Sequence, residues 1–110
     1  MGLSPTGKSL SSAVISAASS GANELVAAQG AGLRIVVYSI SLMTRGVTTA
    51  QLKSASTAIS GALSFGTGGT WDEPINASGE PLYQTAANEA LNLVLGSAVQ
   101  CDGLVRYLVK

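Results

Sequence analysis

Short stretches of alternating apolar and polar residues, cut by Gly, Asn and Ser, fill the chain from about Glu24 to Lys110. A period of two predicts half-buried β-strands rather than helices. The segments that carry it are Glu24 to Ala28, Leu33 to Met43, Thr48 to Lys53, Ala58 to Phe65, Leu82 to Thr85, Ala90 to Leu95 and Leu104 to Val109. Between and beside them lie Ser20-Gly21, Gly30-Ala31-Gly32, Arg45-Gly46, Gly66-Thr67-Gly68-Gly69 and Asp102-Gly103, where tight turns and positive φ are cheap. Short strands at such intervals predict an all-β sandwich or barrel. The spacing of Leu104, Arg106, Leu108 and Lys110 predicts a last strand that runs to the final residue.

Three segments need more than the period. In Leu33 to Met43 both phases are apolar: Leu33, Ile35 and Val37 in one, Val36, Tyr38, Ile40 and Leu42 in the other. That predicts a central strand covered by the second sheet on one side and by a neighbour on the other. In Gln51 to Leu63, the positions of Leu52, Ala55, Ile59 and Leu63 also fit a helix. Thr48, Thr49, Thr57, Ser60 and Gly61 weaken that alternative, so strands are expected there too. Met1 to Ser20 is dominated by Ser, Ala and Gly, with Pro5 near its start and its apolar feature around Val14 and Ile15. It is expected to be an extended arm on a sandwich spanning residues 21–110, with a short strand near Ala13 to Ala17 as the alternative. About 18 extended residues reach roughly 60 Å, enough to touch a neighbouring subunit.

The 110 residues suffice for one domain and a single core. Composition then changes the picture. Hydrophobic residues make up 46% and charged ones only 11%, with a mean hydropathy of +0.37; roughly 25% charged is usual for soluble chains. So much apolar surface on a small domain predicts contact sites, and self-association first of all. Six basic and six acidic side chains cancel. No basic stripe is left for nucleic acid or anionic lipid, so neither is an expected partner. No apolar run approaches the ~20 residues of a spanning helix, and no basic segment leads into an apolar signal core, so a soluble, cytoplasmically made chain is expected. Cys101, alone, forms no internal disulfide. Asn76-Ala77-Ser78 fits a glycosylation acceptor but reads better as turn chemistry.

Gly2-Leu3-Ser4-Pro5-Thr6-Gly7-Lys8-Ser9 matches the phosphate-binding loop pattern letter for letter. Such a loop must come after a strand and open a helix, and here only Met1 precedes Gly2 while Leu10 to Ser20 lacks helix caps. The match is read as coincidence. Trp71-Asp72-Glu73-Pro74 concentrates more chemistry: an exposed Trp there could stack a sugar ring, or the carboxylates could help hold calcium. Adjacent Asp and Glu on a strand point to opposite faces, however, which spoils a catalytic pair. The favoured reading makes Trp71 the anchor of a loop or an interface, as aromatic residues commonly are. Tyr38 and Tyr83 are candidates for the same role. With no histidine anywhere, Cys101 and the serines have no general base, and Cys/His metal sites are excluded. No enzyme, metal or cofactor is expected.

Ser20 to Ala28, Leu33-Arg34-Ile35-Val36-Val37 and Pro81 to Leu93 together resemble the small β-sandwich proteins encoded beside tailed-phage capsid genes: decoration, or cement, proteins and related head-fibre domains. Similar domains often carry Gly where this chain has Asn88, and Asn tolerates the left-handed conformation next best. The resemblance implies a jelly-roll-like antiparallel sandwich, assembly as homotrimers, and attachment to the major capsid protein lattice on the outer surface of a virion. On that reading Leu3, Pro5, Leu10, Val14 and Ile15 of the arm contact the capsid. Rival readings are a head-fibre module that holds a carbohydrate through the Trp71 loop, and a tail or neck subunit.

Overall fold

The run Ile35-Val36-Val37-Tyr38, β-branched and aromatic, suits a pleated, half-buried surface. In the computed structural model, which describes residues 10–110, it opens the longest strand, β3 (Ile35–Thr44). The others are β1 (Ser11–Ala17), β2 (Gly21–Val26), β4 (Thr48–Ser54), β5 (Thr57–Ala58), β6 (Leu63–Phe65), β7 (Thr70–Glu73), β8 (Tyr83–Gln84), β9 (Leu91–Leu95) and β10 (Cys101–Val109). Among the described residues there is no helix. The strands form two antiparallel sheets packed as a sandwich, as the alternation predicts. The front sheet has the order β1-β10-β3-β7, with β8 also on β3; the back sheet has the order β2-β9-β4-β5, with β6 also on β4. The chain therefore changes sheet at most of its connections, and β10 lies between β1 and β3.

The core forms between the sheets. Leu91, Leu93 and Leu95 of β9 and Leu52 of β4 share it with Ile15, Ile40, Leu42 and Val105 of the front sheet. Burial of each such side chain stabilises the fold by about 1.5–3 kcal/mol relative to exposure. The two apolar phases of β3 have a different origin from the one expected. Arg106 pairs with Ser39 and Tyr107 with Val37, so Tyr38 is an extra residue in β3. This β-bulge switches the phase. Ile35 and Val37 point inward before it, and Ile40 and Leu42 after it. Val36 and Tyr38 lie on the outer face, in a small second cluster with Leu108, against which Leu10 packs.

At Ser11–Ala17 the chain takes the alternative of a strand near Ala13 to Ala17 rather than the extended arm. The segment is a full strand, paired with β10 from Ser11 opposite Tyr107 to Ala17 opposite Cys101. Ala13, Ile15 and Ala17 supply its inward face, so the sandwich begins ten residues earlier than the expected boundary at Gly21. Leu3 and Pro5 lie outside the described residues, as does the phosphate-loop match; the first element after that match is β1, a strand where a phosphate site would need a helix. Two further corrections concern β10 and β7. Asp102-Gly103 is strand interior rather than a turn, because a side chain on Gly103 would meet the Ser41 carbonyl oxygen at 1.9 Å. Thr70–Glu73, read as loop, is a strand paired with β3. The ambiguous window Gln51 to Leu63 is strand and turn, with β4 and β5 joined through Ala55-Ser56. The Gly66 to Gly69 turn is fastened by the Thr44 hydroxyl, which donates to the Gly66 carbonyl at 2.9 Å.

Candidate interaction surface

The front sheet carries unlike residues on its outer face, in rows that cross the strands. Val14 stands opposite Leu104, Leu104 opposite Ser41 and Ser41 opposite Asp72. In the next row Ser16, Asp102, Met43 and Thr70 lie side by side. On the other flank Ser12 is opposite Arg106, and Arg106 opposite Ser39. Val14 is 76% exposed and Met43 46%, large values for apolar side chains in regular strands. Beside them a shallow groove of about 400 Å³ runs between Arg106, Ser39, Ser41, Asp72 and Ile75. The back sheet is different. Glu24, Asn92 and Lys53 cross β2, β9 and β4 in one row, and the Gln51 amide donates to the Ser60 carbonyl at 3.0 Å. The back sheet thus combines polar rows with a half-buried Val94 and a 41%-exposed Leu63, while the front sheet carries Val14 and Met43, its most exposed apolar side chains, with charge at its margins.

The charge at that margin is held in place. Arg45 Nε lies 2.8 Å from Asp102 Oδ2, and Gln100 donates to Asp102 Oδ1 at 2.8 Å. Gln100 and then Arg45 hold the Asp102 carboxyl below the usual aspartate range. Its contribution to stability is present at neutral pH and lost as the pH falls through that lowered value.

The expected anchor residues sit elsewhere. Trp71 is 4% exposed and belongs to the core between the sheets. Its indole N–H donates to Glu73 Oε1 at 2.8 Å, and the Tyr83 hydroxyl donates to the same oxygen. Phe65 stacks on Trp71 with centroids 6.2 Å apart, and Tyr83 meets it edge-on at 6.3 Å. Burial first, and then the hydrogen bond and charge of Glu73, push the Tyr83 phenol up to about 12. Asp72, between Trp71 and Glu73, points out to solvent. Tyr38 is buried on the front sheet's outer side, where Lys110 donates to its hydroxyl at 3.1 Å. Trp71 thus anchors its strand from within the core, Tyr38 is buried within the chain, and Tyr83 is half-buried beside Trp71.

Of the expected arm contacts, Ile15 is fully buried and offers nothing to a shell, Leu10 is half-buried on the Tyr38 cluster, and Val14 is free on the surface. Asn76-Ala77-Ser78 is turn chemistry: the Asn76 side-chain oxygen accepts from the Ser78 amide at 2.8 Å. Burial, then the charge of Asp102, pushes the Cys101 thiol up, which leaves it a poor nucleophile. Among the described residues no group of three His, Cys, Asp or Glu could hold a metal ion. Sequence reasoning passed over Leu104, Met43 and Arg106 as surface residues, because which residues face outward depends on the bulge at Tyr38 and on the pairing register. Comparison with known protein families, with curated proteins and with solved structures finds no match for the chain.

Proposed function

We propose that this chain is a structural virion protein, a capsid decoration protein that binds the outer surface of an icosahedral phage head as a trimer and stabilises the shell. The observation that carries the reading is the contrast between the two outer faces. The back sheet's row of Glu24, Asn92 and Lys53 suits water, and a front sheet with Val14 and Met43 exposed and Leu104 half-buried beside Val14 suits a finished protein surface. The strand order also supports it: β1-β10-β3-β7 over β2-β9-β4-β5, with the chain passing back and forth, suits a jelly roll, a frequent capsid-protein architecture. The low overall charge favours recognition by shape and burial over electrostatic steering.

A shell that confines packaged DNA fails where its subunits meet. A protein bound across such a junction adds contacts that must break first, and many copies multiply a modest free energy. The carbohydrate reading loses its main support, since the Trp71 ring faces the core and its N–H is taken by Glu73. The test is a binding isotherm of the purified protein on heads assembled without it, and then heating of bare and saturated heads. Saturable binding with a raised rupture temperature is expected; no binding at micromolar protein would end this reading.

A further inference from the structure

A sandwich of two open sheets has four edges, and exposed edges are normally blunted by charge, proline, a bulge or brevity, since their free N–H and C=O groups invite another strand. Three edges here are blunted. β2 carries Glu24 and shifts register between Glu24 and Val26. β7 and β8 are four and two residues long, with Asp72 outward. β5 and β6 have two and three residues. The fourth edge, β1, is seven residues long, has neither charge nor proline, and keeps an unbroken register with β10. Among the described residues no backbone group outside β10 bonds to it.

We infer that β1 of one copy pairs antiparallel with β1 of a second copy about a two-fold axis through Val14, joining the two front sheets into one. The backbone edge asks for an extended strand, and the side chains select this chain's own. A two-fold axis sets like against like, so an uncharged strand escapes the repulsion that a charged one would suffer. The register centred on Val14 uses all seven residues and sets Ser12 against the partner's Ser16. It also builds one apolar row across the joint: Leu104, Val14, the partner's Val14, the partner's Leu104. On one flank of that row each strand pair runs from Arg106 through the two serines to the partner's Asp102, so opposite charges end the row. The joint is small beside the ~1,600 Å² of a standard interface, and therefore strengthens with concentration. On a lattice of trimers the same pairing runs across the two-fold axes between neighbours, where effective concentration is high. It does not depend on the shell and is testable without it.

Cysteine scanning on the full chain, with sedimentation velocity of the wild type alongside, tests it. Directly opposed Cα atoms in an antiparallel pair are ~4.5–5.5 Å apart, within disulfide reach, whereas residues displaced by four positions are far outside it. Under mild oxidation Val14→Cys should become a covalent two-chain species. Ser12→Cys, equally outward on the strand, should not couple to itself but should couple to Ser16→Cys when the two are mixed. The wild type should show its smallest species doubling in mass as concentration rises toward millimolar. Equal coupling of Val14→Cys and Ser12→Cys alone, no coupling by Val14→Cys, or no doubling would each overturn the pairing. Failure of shell binding with these results intact would overturn only the decoration reading.

Discussion

Ala55 and Asn88 have positive φ, at 50° and 56°. Asn88 tolerates this because its short polar side chain suits the left-handed region, while the Cβ of Ala55 crowds its own backbone. Ala55 nonetheless stays, since the β4–β5 turn is held from outside: the Ala55 N–H donates to the Ala90 carbonyl at 2.9 Å and the Asn92 side-chain amide donates to the Ala55 carbonyl at 3.0 Å. Ala55→Gly should stabilise the protein by up to ~1 kcal/mol, read as a higher denaturant midpoint with unchanged slope. Gly103→Ala should do the reverse and cost about 3 kcal/mol, as its new methyl group would collide with the backbone at Ser41. Tyr83 provides the pH signature. Its phenol is raised in the fold, so its neutral form contributes stability that is whole below the ordinary tyrosine value of ~10 and lost as the pH rises through about 12. The stability gap between wild type and Tyr83→Phe should therefore narrow on alkaline titration. A gap that stays constant from pH 8 to 12 would refute the Glu73 linkage.

Among the elements, those with the cleanest alternation were legible in the sequence: β4 with Ala50 and Leu52 inward, β9 with Leu91, Leu93 and Leu95 inward, and the later part of β10. β1 was half-legible. Ala13, Ile15 and Ala17 alternate, but alanines bury little area and the flanking serines resemble linker. β7 was hidden because Trp71 and Glu73 face inward together, and a carboxylate on the inner side becomes tolerable only once two donors reach it from Trp71 and Tyr83. Asp102-Gly103 misled because glycine serves close backbone approach as well as turns. The surface was legible only as a property of the whole composition: low charge announced exposed apolar side chains, yet the bulge at Tyr38 that decides which residues of β3 point outward leaves no local sign. The inward setting of Trp71 has its own check. Its fluorescence should be blue-shifted and poorly quenched by acrylamide, and glycans should not perturb it; a quenchable, glycan-sensitive emission would return the ring to the surface.

For the molecule as a whole, the front face and the segment before β1 carry separable predictions. Met43→Glu, on an exposed position, should leave the thermal transition within a few degrees and weaken binding to bare heads at least tenfold, since ~1.4 kcal/mol suffices. Removing residues 1–9 tests the expected arm while sparing Leu10, which packs beside Tyr38. Equal affinity of the full and shortened proteins would take that segment out of the mechanism. The place of β10 has a consequence in time. It lies between β1 and β3, so two of the front sheet's principal pairings wait until residues 101–109 are synthesised. A ribosome stalled before Cys101 would hold a product in which β1 lacks its β10 partner, and the front sheet closes only once β10 has emerged. Pairings this distant in sequence fold in milliseconds to seconds rather than microseconds. During that interval the uncharged β1 edge is open on both sides, and the growing chain's chief hazard is premature pairing with another copy of itself.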